Sequence, residues 1–317
     1  MNAQLEKLLA EHQISWRCSV PLKFLSHWRI GGPADYVVEP CSAEETAAAC
    51  QAAIECKTPW LVIGSGSNIL FDDSGYRGLI IKIGRRFAKY QFEGTSAEAD
   101  AGIWMPLLAK ASAERGLSGL EHTAGIPGNL GGLLYMNGGS MRRNIGDNVT
   151  WVKVMDASGS VRKIPKNDCG FSYRHSVFQG RDLIILGARL ELVQGNAGEI
   201  RREMLHVLEE RRQKFPLDRP NCGSVFSNDA ELYEQYGPPG MVIDRLGLKG
   251  MRVGDAEVST KHANFIVNMG SATSADVFAL VKKVRGTIRE RTGFTLSSEV
   301  LYVSPDGRRA PLSQFLD

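Results

Sequence analysis

The chain has 317 residues, 43% of them hydrophobic and 23% charged, with 38 Lys+Arg against 35 Asp+Glu. This is an ordinary globular composition, with room for two or three modest domains. A net charge of +3 without any basic block excludes a dedicated nucleic-acid binder and leaves open a site for an anionic small molecule.

The opening "MNAQLEKLLAEHQ" predicts a short helix with Leu5, Leu8 and Leu9 on its apolar face. Glu6, Lys7 and Glu11 interrupt the apolar core that a signal peptide needs. The longest uncharged run, "HTAGIPGNLGGLLYMNGGSM", is too rich in glycine and polar residues to span a membrane. The expectation is a cytoplasmic protein. Six cysteines without a C-x-x-C pair then read as reduced thiols, and no spacing of histidines suggests a metal.

Further along, "CSAEETAAACQAAIEC" predicts a helix with Ser42 and Glu45 as a capping box. "WLVIGSGSNILF" reads as an apolar strand, a Gly/Ser turn and more apolar residues, and "RGLIIKIG" as a strand. "WMPLLAKASAERG" predicts a helix closed by Gly116. "WVKVMDASGSVRKI" reads as a hairpin around Ser158-Gly159, and "DLIILGARLELV" as a long strand. A charged amphipathic helix is predicted over about 198–215, with Ile200, Met204, Val207 and Leu208 inward and Pro216 ending it. "NFIVN", the helix "SADVFALVKKVRGTIRERTG" and a final strand "EVLYV" complete an α+β pattern with mixed sheets.

Three glycine loops interrupt these elements. "LVIGSGSN" is a poor dinucleotide fingerprint, because the third glycine would fall at Ile69 and no long helix follows. What remains is a turn of successive N–H groups over Gly64, Ser65, Gly66, Ser67 and Asn68, able to hold a diphosphate. "AGIPGNLGG" supplies Gly125, Gly128, Gly131 and Gly132, with Ile126 and the stiffening Pro127 between them. "RIGGPAD" adds Gly31 and Gly32. Together they suggest a large phosphate-bearing cofactor approached by backbone.

The string "RIGGPADY", "GSGSNIL", "GIPGNLGG", "FSYRHSVF", "CGSVF", "GLKG", "KHANFIVN" and "SEV", in this order, resembles the UDP-N-acetylenolpyruvoylglucosamine reductase family. The resemblance runs from about Ser26 to Val303. It implies an FAD-binding domain of the vanillyl-alcohol oxidase type, made of two α+β subdomains (1-85 and 86-205), and a C-terminal α+β substrate domain (206-317). It also implies non-covalent FAD, with NADPH as co-substrate. The reaction implied is reduction of the enolpyruvyl ether of UDP-N-acetylglucosamine to UDP-N-acetylmuramate, in peptidoglycan synthesis.

The resemblance assigns catalysis to Arg174, Ser224 and Glu299. A guanidinium at Arg174 forks onto a carboxylate and stabilises an enolate. Ser224 then protonates the enolate carbon, and Glu299 supplies, relays or polarises. Tyr173, Asn228, Lys249, Lys261, His262 and Asn264 are candidates for the nucleotide sugar. Two rivals stay open: Cys222 as a nucleophile, and His122 as a covalent flavin anchor. The alternative functions are an FAD oxidase or a paralogous reductase of the same fold, and a non-catalytic nucleotide-sugar binder. His27, Met141, Arg142 and Asp255 depart from the family pattern, which expects a threonine, a tyrosine–glycine pair and a glycine there.

Overall fold

In the computed structural model, which describes residues 2–316, the chain divides into two compact units that do not follow chain order. The first unit takes the chain up to Arg17, then Tyr36–Ser65 and Leu79–Arg211. The second takes Cys18–Asp35, Gly66–Gly78 and the chain from Arg212 onward. The boundaries after Arg17, Asp35 and Gly78 fall inside strands Trp16–Pro21, Pro33–Val38 and Tyr76–Lys82.

The first unit begins with helix α1 (Ala3–Glu11), which buries Leu5 and Leu9. Helix α2 (Ala43–Glu55) follows. The Ser42 side chain accepts from the Glu45 N–H, as the capping box requires. The reciprocal bond is displaced by one residue: Glu45 Oε2 accepts from the Cys41 N–H at 2.8 Å instead of from Ser42. Strands Trp60–Ile63 and Leu79–Lys82 pair in parallel, Trp60 opposite Leu79 and Ile63 opposite Lys82.

A five-stranded antiparallel sheet fills the middle of this unit. Its order is Val161–Pro165, Val149–Asp156, Leu183–Glu191, Ser96–Asp100, Tyr90–Glu93. The predicted hairpin is its edge. Asp156 Oδ1 accepts from the Ser158 and Ser160 N–H groups, and Gly159 takes φ +87°. A register shift after Lys153 breaks the alternation, so Val154 and Met155 are both buried.

Helix α3 (Met105–Glu114) ends before Gly116, whose φ of +68° turns the chain out of the helix. The run read as a glycine loop contains a short helix, α4 (Leu130–Met136). Leu130, Leu133 and Leu134 are its buried stripe, at i, i+3 and i+4, hidden in the sequence by the neighbouring glycines.

Helix α5 (Ala197–Lys214) corrects one expectation. Only Ile200 and Val207 are buried, Met204 is half-buried, and Leu208 is exposed. The buried line runs seven residues apart along one narrow edge. Leu208 is one residue, about 100°, off that line.

In the second unit the sequence reading missed two short helices, α6 (Ala230–Tyr236) and α7 (Pro239–Arg245). Helix α8 (Ser274–Thr292) buries Val277, Leu280, Val281, Val284 and Ile288. Thr273 and Asp276 form its capping box, and the Asp73 carboxylate accepts from the Ser274 and Ala275 N–H groups at 2.7 and 3.2 Å. The core around it includes Trp28, whose indole N–H donates to the Ile266 carbonyl at 2.9 Å. The final strand is shorter than expected: Leu301–Val303 pairs in parallel with Ile69–Phe71 and antiparallel with Arg309–Pro311. Glu299 and Val300 precede it.

Gly66 (φ +69°) illustrates why this unit needs glycine: a Cβ there would stand 2.0 Å from the Leu25 carbonyl oxygen. Gly247 has nearly the same φ, +70°, and open space around it. Gly247→Ala is therefore expected to cost only the left-handed backbone strain, about 1–2 kcal/mol. Gly66→Ala should cost clearly more, measured by urea unfolding. Equal losses would mean that the Leu25 backbone yields freely.

Candidate active site

In the second unit, Ser224 lies on an irregular segment held from two sides. The Val225 N–H donates to the Asn264 carbonyl at 2.8 Å, and the Asn264 carboxamide pairs with both backbone groups of Phe226 at 2.9 Å. On the other side the Glu299 N–H donates to the Val225 carbonyl at 2.9 Å, and the Ser227 N–H donates to the Ser297 carbonyl. The Glu299 carbonyl in turn accepts from Asn68 Nδ2 at 3.0 Å. Ser224, Glu299, Asn264 and Asn68 are thus brought together, with Ser224 and Glu299 both half-buried.

Arg174 belongs to the first unit. It sits in a tight turn whose ends, Ser172 and His175, exchange both backbone hydrogen bonds at 3.2 Å. Its φ is +53°, a left-handed value that glycine would adopt without strain. The guanidinium carbon lies 5.7 Å from the Tyr173 ring centre, so these two predicted residues are neighbours. Asn137 Nδ2 donates to the Ser172 carbonyl at 2.9 Å, and Gln179 Nε2 to the Arg174 carbonyl at 3.0 Å. Neither Asn137 nor Gln179 was singled out from the sequence. The only hint was an asparagine between a leucine-bearing run and "GG", a place where a left-handed helix end is common. Asn137 does take φ +42° at the end of α4.

Two of the glycine loops meet within the first unit. Ser65 Oγ donates to the Pro127 carbonyl at 3.3 Å, and Gly64 faces the Asn129 side chain. Asn129 Nδ2 is anchored on the Ile83 carbonyl at 3.0 Å. Gly128 and Ile126 close a narrow turn between them, and Gly132 has nothing within 4 Å of where a Cβ would stand. Gly131 packs on Ala101, and Gly125 packs on the Arg211 side chain. Gly66, Ser67 and Asn68 belong to the second unit. There Gly31 and Gly32 have a reason for being glycine inside the protein. Their Cβ atoms would collide with Phe71 at 2.7 Å and with the Asp73 carbonyl at 2.1 Å.

The remaining predicted residues scatter over the second unit. Lys249 Nζ pairs with Asp244 at 2.7 Å. Lys261 donates to the Arg212 carbonyl, and His262 packs against both rings of the stacked pair Phe215 and Phe265. Asn228 is exposed just before α6. Asp255 accepts from Arg252 and from the Ser271 N–H, so it braces its own loop. Met141 and Arg142 form the tip of a two-residue hairpin with φ +53° and +60°. The His27 side chain is exposed, while its N–H donates to the Gly66 carbonyl at 3.1 Å.

Burial argues against the rival reading of Cys222 as a nucleophile. Its thiol is enclosed against the Ile69 carbonyl, and desolvation pushes its pKa up to about 12. A thiolate does not form there near neutral pH. His122 is also buried. Desolvation foremost, then the Arg143 charge, lowers its pKa to about 4, against the opposing pull of Asp147 and Glu121.

Comparisons with known proteins agree on one family. Residues 215–303 match the C-terminal domain of UDP-N-acetylenolpyruvoylglucosamine reductase, and residues 34–165 match an FAD binding domain. The chain is 45% identical over 307 residues to UDP-N-acetylenolpyruvoylglucosamine reductase 1 of Corynebacterium glutamicum, covering 97% of this chain and 92% of that one. It is 37% identical to the reductase of Heliobacterium modesticaldum, with 92% of each chain covered. The crystal structure of the Thermus caldophilus reductase superposes with a TM-score of 0.77 at 32% identity, over 91% of this chain and 98% of that one.

The buried neutral His122 carries a pH dependence. In the unfolded chain its pKa returns to about 6.5, so between pH 6.5 and 4 the unfolded state binds the extra proton. Its contribution is complete above pH 6.5 and is lost as pH falls toward 4, by about 3 kcal/mol at roughly 1.4 kcal/mol per pH unit. His122→Phe should flatten the acid limb of stability over that window. An unchanged slope in urea unfolding would show that His122 is not its source.

Proposed function

We infer the roles of these residues from one premise: the chain belongs to the UDP-N-acetylenolpyruvoylglucosamine reductase family. It is an FAD-dependent oxidoreductase, a UDP-N-acetylmuramate dehydrogenase, of peptidoglycan synthesis. The loops of the first unit fit FAD. Gly64 and Ser65 meet the Pro127 turn, and Gly132 leaves open the space a side chain would fill. We assign Gly31, Gly32, Gly64, Ser65, Gly66, Ser67 and Asn68, with Gly125, Ile126, Gly128, Gly131 and Gly132, to the cofactor. When bound, FAD carries a hydride from NADPH to the enolpyruvyl group.

The observation behind the catalytic assignment is the backbone hydrogen bond from the Glu299 N–H to the Val225 carbonyl, which holds the chain at Glu299 alongside the segment that carries Ser224. Hydride addition leaves an enolate conjugated with the substrate carboxylate. Arg174 forks onto that carboxylate and disperses its charge. The Ser224 hydroxyl gives its proton to the enolate carbon; an enolate is basic enough to take it without a histidine. Glu299 restores or relays that proton. Cys222 takes no part.

UDP-N-acetylglucosamine enolpyruvate is the proposed substrate, with NADPH as reductant. Tyr173, Asn228, Lys249, Lys261 and His262 are proposed for the nucleotide sugar, the lysines by charge on the diphosphate. Asn264 is proposed as a positioning residue, since its carboxamide is engaged by Phe226. By chain order, 1-85 and 86-205 form the cofactor part and 206-317 the substrate part, with 18–35 and 66–78 packing in the same unit as the last. No described helix is long and apolar enough to cross a membrane, and the reaction is proposed to occur in the cytoplasm.

Ser224→Ala should bleach normally with NADPH and then reoxidise very slowly with the enolpyruvyl substrate in stopped-flow absorbance. Normal reoxidation at saturating substrate would end the proton-donor role. A change confined to KM would leave Ser224 as a binding group. Glu299→Gln should keep flavin reduction while turnover drops by about two to four orders of magnitude, the scale of a lost acid–base group. Equal losses in both half-reactions would make Glu299 structural.

A further inference from the structure

Arg174 pays for its place with a left-handed backbone, so something must hold its turn in that form. The reciprocal bonds between Ser172 and His175 close the turn, but they do not fix where it stands. Two side-chain amides do. Asn137, buried at the C-terminal end of α4, donates to the Ser172 carbonyl and accepts from the Gly146 N–H at 3.1 Å. Gln179 Nε2 reaches two carbonyls at 3.0 Å each: that of Arg174, and that of Tyr135 in the last turn of α4. It also lies 3.6 Å from Met136 Sδ. Ser176 Oγ donates to the same Tyr135 carbonyl at 2.7 Å.

The carbonyls of a last helical turn have no partner within the helix. Here the Leu133 and Leu134 carbonyls are taken by the N–H groups of Gly138 and Asn137, and the Tyr135 carbonyl is completed by the segment that carries Arg174. The N-terminal end of α4 opens from the glycine loop at Gly128–Asn129. Seven residues at about 1.5 Å each make a strut of about 10 Å between that loop and the Arg174 turn.

We propose that Gln179 is a positioning residue for the reductive step on the substrate: by clipping the Arg174 carbonyl to the end of α4, it fixes the guanidinium relative to the cofactor loop. The proposal rests on the reading of Arg174 as the group that binds the substrate carboxylate. It places Gln179 outside the chemistry, acting only through Arg174.

The test uses the FAD-loaded full-length protein. Gln179→Met keeps the length of the side chain and removes its donor. Reoxidation by saturating enolpyruvyl substrate should slow by about three- to tenfold, the scale of one or two hydrogen bonds. Flavin reduction by NADPH, FAD content and Tm should stay near wild type. Gln179→Lys, which retains donors at the end of the chain, should recover most of the rate. In an Arg174→Ala background Gln179→Met should add no further loss, because its effect runs through the missing side chain.

A normal rate in Gln179→Met beside a defective Arg174→Ala would overturn the proposal and leave the reading of Arg174 intact. So would a loss that multiplies in the double variant, or one shared equally by both half-reactions with a lowered Tm. A normal rate in Arg174→Ala itself would instead bring down the reading of Arg174, and this proposal with it.

Discussion

The Asn264 carboxamide imitates a piece of β-ladder. It donates to the Phe226 carbonyl and accepts from the Phe226 N–H, each at 2.9 Å, while its own carbonyl takes the Val225 N–H. An irregular segment that is buried must satisfy its backbone groups somehow, and a side chain with one donor and one acceptor end does so where no strand is available. The same device recurs wherever the sites need irregular chain. Asn129 holds the glycine loop, Asn137 and Gln179 hold the Arg174 turn, and Asn68 holds Glu299. Asn268 holds the Trp28 carbonyl and accepts from the Gly270 and Ala272 N–H groups. Regular sheet builds the two units; amides place the functional residues on their loops.

This arrangement separates neighbours in sequence into different chemistries. Cys222 and Ser224 are two residues apart, yet the thiol is enclosed against the carbonyls of Gly66 and Ile69 while the hydroxyl is half-exposed. Burial makes the more nucleophilic group inert and leaves the weaker acid to meet a ligand. Arg174 shows the complementary case. A glycine would relieve its backbone, so the strain is the cost of keeping a cation at that spot.

How much of this was legible in the sequence depended on range. Alternation and turn chemistry were enough for the hairpin over 149–165, and a capping pair ahead of an alanine-rich run was enough for α2. Both are set by residues close in sequence. The α4 helix was hidden because glycine argues against helix, although its three leucines carry the period. Leu208 read as inward because apolar residues were counted without knowing how narrow the contact would be. Motifs pointed to Ser224, Glu299 and Arg174, but not to what holds them. Asn264 looked like a ligand-binding residue because nothing local shows that Phe226, in a distant stretch, occupies its amide. Gly31 and Gly32 have a further reason to be glycine, the closeness of Phe71 and Asp73, that no local pattern shows.

The interleaving of the two units sets the order in which the chain can fold. Trp28, Ile30 and Leu70 are made early, but the residues that bury them with α8 begin only at Cys222. The bond from Trp28 to the Ile266 carbonyl closes a loop of most of the chain. Long-range closure of this kind is slow, and apolar groups that wait for their partners are exposed meanwhile. A ribosome that has released two thirds of this protein therefore holds out a tryptophan, an isoleucine and a leucine with no core to enter. Expressed by itself, the last third would lack the same three side chains. Residues 215–303 match a family domain, yet they are not a separable piece of chain.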